Sequence, residues 1–297
     1  MGAGEMSSAT QIFDRSLIRR HRARAAQRAA EHDFLLQRVA DDLAERVSII
    51  RRDFPLAVDL SARPGVLSER LRALGNVGTV IDAAVPGADA TGSSVDVIAD
   101  EEALPFGDVQ LDLVVSGLTL QLVNDLPGTL IQIRRALKPD GLLLAALLGG
   151  ETLKELREAW LVAEEEICGG VSPRVAPFAD VRELGSLLQR AGFALPVVDS
   201  DTVRVTYADP LALMREVKAM GGSNPLADRR RTPVTRGLLM RAAQVYQERF
   251  GLPGGRVQAT FEIVTLTAWV PDASQPKPLR PGSAKVNLAD VLGKKPR

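Results

Sequence analysis

The sequence predicts an α/β protein built on a mostly parallel, doubly wound sheet, and three observations carry that prediction. Between Pro55 and Gly150, short apolar runs alternate with helical stretches, the rhythm of βαβ units. Acidic and small residues follow those runs, at the strand ends where such sheets place their ligands. Late in the chain, two long alternating segments add strands to the same sheet.

Taken in order, residues 12–52 read as helical. Ile12, Phe13, Leu17 and Ile18, then Phe34, Leu35, Val39, Leu43 and Val47, recur at spacings of three and four until Asp53, Phe54 and Pro55 end the pattern. The first part carries Arg15, Arg19, Arg20, Arg22, Arg24 and Arg28, which predicts a solvated, partly packed helix, with a partner-facing one as the alternative. Strands follow at 56–60, 77–81, 94–98, 111–116 and 142–148, with helices at 66–74 and 126–137. Lys138, Pro139, Asp140 and Gly141 form a turn signal before the last of these strands. Helices are expected at 151–167, 180–191, 210–219 and 234–250, and the alternating strands at 197–207 and 258–270.

The organisation this implies is a disordered leader over 1–10, an N-terminal helical segment over 11–53, and a main domain over 54–270. A helical insertion occupies about 208–252 of that domain, and a proline- and lysine-rich tail covers 271–297.

Composition narrows the function classes. Among 297 residues, 45% are hydrophobic, enough for a large core. Lysine plus arginine and aspartate plus glutamate each total 37, so no overall charge draws the chain to nucleic acid or an anionic membrane. A single cysteine, Cys168, excludes an internal disulfide and a cysteine-built metal site. The only histidines, His21 and His32, lie eleven residues apart. On one continuous helix that is roughly 16 Å, too far to share a metal ion. No G-x-S-x-G elbow supports a serine triad, and no apolar run reaches the ~20 residues of a membrane span. The N-terminus lacks the features of a secretory signal, so a reducing, cytoplasmic setting is expected.

The chemistry concentrates at three strand ends: Val58 to Gly65, Val80 to Asp82, and Ala99 to Phe106. An acid closing the second strand suits a ribose diol, and one after the third suits an exocyclic amine, so Asp82 and Asp100 read together as a nucleoside site. Asp59, near the end of the first strand, either contacts a ligand amine or holds the loop backbone. Ser116 and Gly117 are small enough to admit a ligand after the fourth strand, or form a plain turn. Gln121 hydrogen-bonds but is no base near neutral pH, so no residue announces itself as the acid–base catalyst. Glu151, Arg174, Tyr207, Ser223 and Asn224 are acceptor-side candidates. Glu164, Glu165 and Glu166 read as a solvated helix segment, Arg229 to Arg231 as a basic loop, and Trp160 and Trp269 as packing residues.

These segments, with Leu111 to Ser116 and Leu137 to Leu142, resemble the class I S-adenosylmethionine-dependent methyltransferases. More closely, residues 11 to 290 resemble assembly factor 5 of respiratory NADH dehydrogenase (complex I) and its bacterial relatives. The stretches carrying this include Ile12 to Arg15, Arg52 to Ala57, Ala99 to Glu102, Leu122 to Pro127, Gly149 to Leu153, Ser172 to Arg174, Arg190 to Phe193, Gly222 to Asn224 and Pro281 to Ala284.

The resemblance implies a Rossmann-like fold with a seven-stranded, mostly parallel sheet containing an antiparallel strand. It implies S-adenosylmethionine as cofactor, held by Asp59, Ser61, Gly65, Asp82, Asp100, Glu101 and Ser116. It also implies a protein substrate or respiratory-complex subunit as partner, met from the cytoplasm at the inner face of the membrane. The family's first loop runs Asp-x-Gly-x-Gly-x-Gly, and here Ser61 and Arg63 replace two glycines. Arg63 has three possible courses: swinging outward, meeting the cofactor carboxylate, or filling the pocket. The activities implied are methyl transfer to a protein side chain, arginine hydroxylation in the same assembly role, or non-catalytic chaperoning with an abandoned cofactor loop. A nicotinamide-dependent dehydrogenase is a weaker alternative, because the first loop lacks G-x-G-x-x-G.

Overall fold

The computed structural model describes residues 11–84 and 95–276. The expected leader, the stretch 85–94 and the tail beyond 276 lie outside the described residues. Seven strands form one sheet: β1 (Phe54–Asp59), β2 (Val77–Ala84), β3 (Val97–Ile98), β4 (Leu111–Gly117), β5 (Leu137–Leu148), β6 (Ala194–Tyr207) and β7 (Val257–Trp269). Their order is β3-β2-β1-β4-β5-β7-β6. All neighbouring pairs from β3 to β5 are parallel, and β7 runs antiparallel to both β5 and β6. The chain therefore reverses its winding between β1 and β4, where the carboxyl ends open a crevice.

Among the described residues, eight α-helices accompany the strands: α1 (Arg15–Ala26), α2 (Phe34–Ser48), α3 (Val66–Arg72), α4 (Leu126–Ala136), α5 (Lys154–Cys168), α6 (Val181–Arg190), α7 (Pro210–Ala219) and α8 (Arg236–Phe250). Helix α2 shows why the layers hold. Leu35, Leu36, Val39, Ala40, Leu43 and Val47 form one buried stripe against the sheet, with α3, α5 and α8 on the same face. Each such leucine contributes about 1.5–3 kcal/mol on burial. The opposite face packs on α4 and α6 through Leu130, Ile133, Leu184 and Leu188.

Two elements depart from the sequence reading. The continuous helix expected over 12–52 is two helices, separated at residues 27–33 by a short 3₁₀ turn, Ala29–Glu31. No proline or glycine marks the break. Tertiary pairs fix it instead: His32 Nδ1 lies 2.9 Å from Glu216, and Asp33 accepts from Arg63 at 2.5 Å. The expected turn at Lys138 to Gly141 lies within β5, as a bulge between the Leu111–Leu137 and Leu113–Leu142 pairs, with Asp140 at φ +58°.

The break lets α1 fold back over the crevice. Phe13 pairs as a β-bridge with Leu226, Asp14 N–H donates to Pro225 at 2.8 Å, and Phe13 N–H donates to Asn124 Oδ1 at 2.8 Å. Gly221, at φ +82°, brings the segment after α7 against α1, where an added Cβ would lie 3.3 Å from that of Ala25. Edge strand β6 is guarded by charge: Arg46 donates to Asp199 at 2.8 and 2.9 Å, and Arg38 to Asp201 at 2.9 Å.

Candidate functional site

Parallel register brings the first two acids side by side: Asp59 closes β1, and opposite it Asp82 lies two residues before the end of β2, which runs on to Ala84 rather than stopping at the acid as expected. Asp59 is buried; its Oδ1 accepts from Ser61 N–H at 2.9 Å, and its Oδ2 has no partner. Burial pushes its carboxyl up to about 7, against the hydrogen bonds from Ser61 and with the charge of Asp82 adding to the rise. Asp82 is buried as well. Its Oδ2 pairs with Arg72 at 2.8 Å, and its Oδ1 accepts from Gly65 N–H at 3.3 Å. Gly65, at φ +89°, turns the chain into α3 in a conformation that a side chain would strain.

Ser61 and Ser116 spend their hydroxyls on the scaffold. Ser61 Oγ accepts from Gly117 N–H at 2.9 Å, and Ser116 Oγ donates to Leu60 O at 3.2 Å, locking the first loop to the end of β4. Asp100 and Glu101 are held by α1. Arg15 Nη2 lies 2.6 Å from Asp100 and 2.5 Å from Glu101, and Arg22 Nη1 is 2.9 Å from the buried Glu101. Arg63 pairs with Asp33 in the connector between α1 and α2, and both residues border the cavity beneath the folded-back α1.

A cavity of about 640 Å³ lies between the first loop, the end of β5, α5, α7 and the folded-back α1. Its walls are mostly apolar, including Leu36, Leu122, Leu153, Trp160, Met214 and Phe261. Of the acceptor-side candidates, Arg174, Ser223 and Asn224 line it. Glu151 instead pairs with Lys154 at 2.8 Å on the surface. Tyr207 lies outside the lining, its hydroxyl unpartnered and pushed up to about 12, first by burial and then by Glu216.

The polar lining holds what the sequence reading missed. His21, Arg22, His32 and Gln121 all border the cavity, and each has one enclosed polar atom without a partner: Nδ1, Nη2, Nε2 and Oε1 respectively. The two histidines, expected far apart on one rod, share a single cavity because the helix breaks between them. Glu164 corrects the solvated reading of its triplet: it is fully buried and bonded to Arg174 and Ser172. Arg229 of the basic loop pairs with Asp14 at 3.2 Å.

These residues fit a nucleoside carrying an amino acid. Asp59 Oδ2 has no partner and can accept from an ammonium, and Asp82 keeps lone pairs beyond those used by Arg72 and Gly65, while neither acid lines the cavity, which Arg63 borders.

Comparison with known proteins adds to this geometry. Residues 58–145 match the family described as Methyltransferase domain. Over 293 residues the chain is 39% identical to the Danio rerio arginine-hydroxylase NDUFAF5, mitochondrial, covering 94% of this chain and 89% of that protein. It is 34% identical over 273 residues to the malonyl-[acyl-carrier protein] O-methyltransferase of Halorhodospira halophila, covering 87% of this chain and 89% of that one. Among solved structures, a methyltransferase-type protein of Bacillus halodurans superimposes with a TM-score of 0.52 at 16% identity, over 78% of this chain and 100% of that one, a likeness of fold.

Proposed function

Because this chain belongs to the NDUFAF5 family, on a methyltransferase fold, we propose that it binds S-adenosylmethionine and methylates a protein side chain in the service of respiratory complex I assembly. The observation that carries this reading is the cavity at the carboxyl ends of the strands, bordered by the first loop beside a buried carboxylate with a free oxygen. In this reading Asp59 takes the cofactor ammonium, Asp82 the ribose hydroxyls, and the backbone at Gly65 closes over the amino-acid portion, all three on the far side of the first loop from the cavity lining, to which that loop gives Ala62, Arg63 and Pro64. Asp100 and Glu101 contribute the acidic edge on which α1 is seated. Ser61 and Ser116 act by holding the first loop against β4.

When bound, the cofactor supplies a methyl group already activated by its sulfonium, so the protein's task is alignment and exclusion of water. The apolar walls and the roof of α1 provide both. A protein side chain enters past Arg174, Ser223 and Asn224.

Calorimetric titration with S-adenosylhomocysteine, repeated by thermal shift, tests the reading. Saturable binding is expected, weakened about 10- to 150-fold in Asp82→Ala, in line with ~1.5–3 kcal/mol for hydrogen bonds to a charged group. Arg63→Gly is expected to bind as well as the parent chain, since Arg63 turns to Asp33. Silence by both methods, with retained binding to a respiratory subunit, would replace the enzyme with an assembly chaperone. Hydroxylation of arginine is the second reading, favoured by the identity to proteins so named. The mass of the modified subunit separates the two, a methyl group against an oxygen atom.

A second measurement isolates Asp59. An arriving ammonium favours the ionised carboxylate, so binding near pH 7 should release up to about half a proton, given a free-state value of about 7. Affinity should therefore rise with pH through 7 and level off above it. The binding heat should vary with the ionisation heat of the buffer, and Asp59→Asn should abolish that variation. A heat independent of buffer would remove Asp59 from the ammonium site.

A further inference from the structure

Helix α1 has two unlike faces. Its inner residues Ile18, His21, Arg22, Ala25 and Ala26 line the cavity, and Arg15 and Arg22 are held by Asp100 and Glu101. Its exposed residues are Ser16, Arg19, Arg20 and Arg24. None of these three arginines has an acidic partner among the described residues, whereas Arg38, Arg46, Arg70 and Arg241 elsewhere on the surface each reach a carboxylate.

The segment after α7 extends the basic face. Ala227 N–H donates to Ile12 O at 2.9 Å and Arg229 pairs with Asp14 at 3.2 Å, so the exposed Arg230 and Arg231 emerge beside the start of α1. Lys218, exposed on α7, stands at the cavity margin. The acids on these elements are mostly engaged: Asp14 with Arg229, Glu31 with Arg28 and Glu216 with His32, which leaves the exposed Asp228 beside the arginines. Because the chain as a whole balances 37 basic residues against 37 acidic ones, this is a local surplus of positive charge. The stretches outside the described residues supply no acidic run to cover it, since they contain one acid each, Glu5, Asp89 and Asp290.

A lipid surface is a poorer match. Interfacial helices bury an apolar face among the headgroups, and the apolar side of α1 faces the cavity. We propose that the outer face of α1, together with Arg230 and Arg231, docks a protein partner through an acidic segment and so presents the side chain that enters the cavity. The inference rests on the reading above that a protein side chain is the group modified. Ser223 and Asn224, at the entrance, belong to the segment that carries these arginines, so a partner held there lies over the route inward. Exposed ion pairs are individually weak, but several acting on one extended segment steer it and fix its register. The 12 residues of α1 are roughly 18 Å long, a length that about six extended residues span.

Fluorescence anisotropy of the intact protein with a labelled hexaglutamate peptide tests this. Saturable binding is expected at low salt, fading toward about 1 M, where the screening length is about 3 Å. Arg19→Gln, Arg20→Gln and Arg24→Gln together should weaken it about tenfold, and Arg230→Gln with Arg231→Gln about threefold. Glutamine is a good helix former and these side chains are exposed, so the unfolding midpoints should match the parent. Arg182→Gln with Arg190→Gln, also exposed but on α6 across the sheet, should leave the affinity unchanged. Equal weakening by the α6 variant, or no saturable binding, would overturn the proposal. Stronger binding to phosphatidylserine vesicles or to polyuridylate, lost in the α1 variant, would overturn it too, assigning the face to a membrane or to RNA. None of these readouts needs a cofactor. Failure of the S-adenosylhomocysteine titration would overturn the proposed function and leave the docking result legible.

Discussion

Replacing Glu164 by alanine is expected to destabilise the protein by about 3–5 kcal/mol, the cost of leaving a buried charge without its partner. Glu164 is fully buried on α5, where Ser172 N–H donates to it at 2.6 Å, Ser172 Oγ at 2.9 Å and Arg174 Nε at 2.9 Å. Arg174, only 12% exposed, also lies over the Trp160 ring at 5.0 Å. Burial alone would raise the carboxyl's proton affinity, but the hydrogen bonds from Arg174 and Ser172 win and hold it below the usual 4.5. Its stabilisation is therefore present above that pH and lost as the pH falls through the folded-state value. Urea unfolding at pH 7 and at a series of lower pH values reads both effects. The gap between the parent and Glu164→Ala curves should be full at pH 7 and begin to close only below about 4.5. An unchanged midpoint at pH 7 would show that the cluster contributes nothing.

The second large effect concerns the seat of α1. In the double variant Arg15→Ala and Arg22→Ala, Glu101, which is 1% exposed in the parent chain, loses both cations, again a change of about 3–5 kcal/mol. Part of that energy fastens α1 rather than the sheet, so hydrogen exchange of residues 15–26 should accelerate more than exchange of β4 and β5. The single Arg15→Ala variant should lose less, because Arg22 still reaches Glu101. Equal protection of α1 in parent and double variant would mean that the Phe13–Leu226 bridge and Asn124 hold the helix unaided.

The sheet was legible because its signals are local. Leu142 to Leu148 reads as a buried strand from composition alone, and Asp59 and Asp82 announce themselves by closing apolar runs. What those acids touch was not legible. The partners of Glu101 stand about 80 residues away on a helix whose arginines looked solvated. Glu164 was misread for the same reason, since in a run of three glutamates only the fold decides which one faces Arg174. The break between α1 and α2 was hidden most completely. Residues 27–33 keep a helical composition, and it is Arg63 and Glu216, from elsewhere in the chain, that select the bend. With the bend unseen, both histidines fell outside the candidate site.

The bridge from Phe13 to Leu226 also sets a timetable. Its two sides are separated by on the order of 200 residues, a loop whose closure entropy must be overcome before the contact forms. During synthesis the arginine-rich segment emerges before its seat, made by Pro225, Leu226 and Asn124, which is complete only after α7 and the segment beyond it have been made. Helix α1 is thus among the last of the described helices to dock, and the cavity stays unroofed in the nascent protein until then. A chain interrupted before residue 225 would still carry the residues of β1 to β6 and would lack the surface that shelters a guest from water.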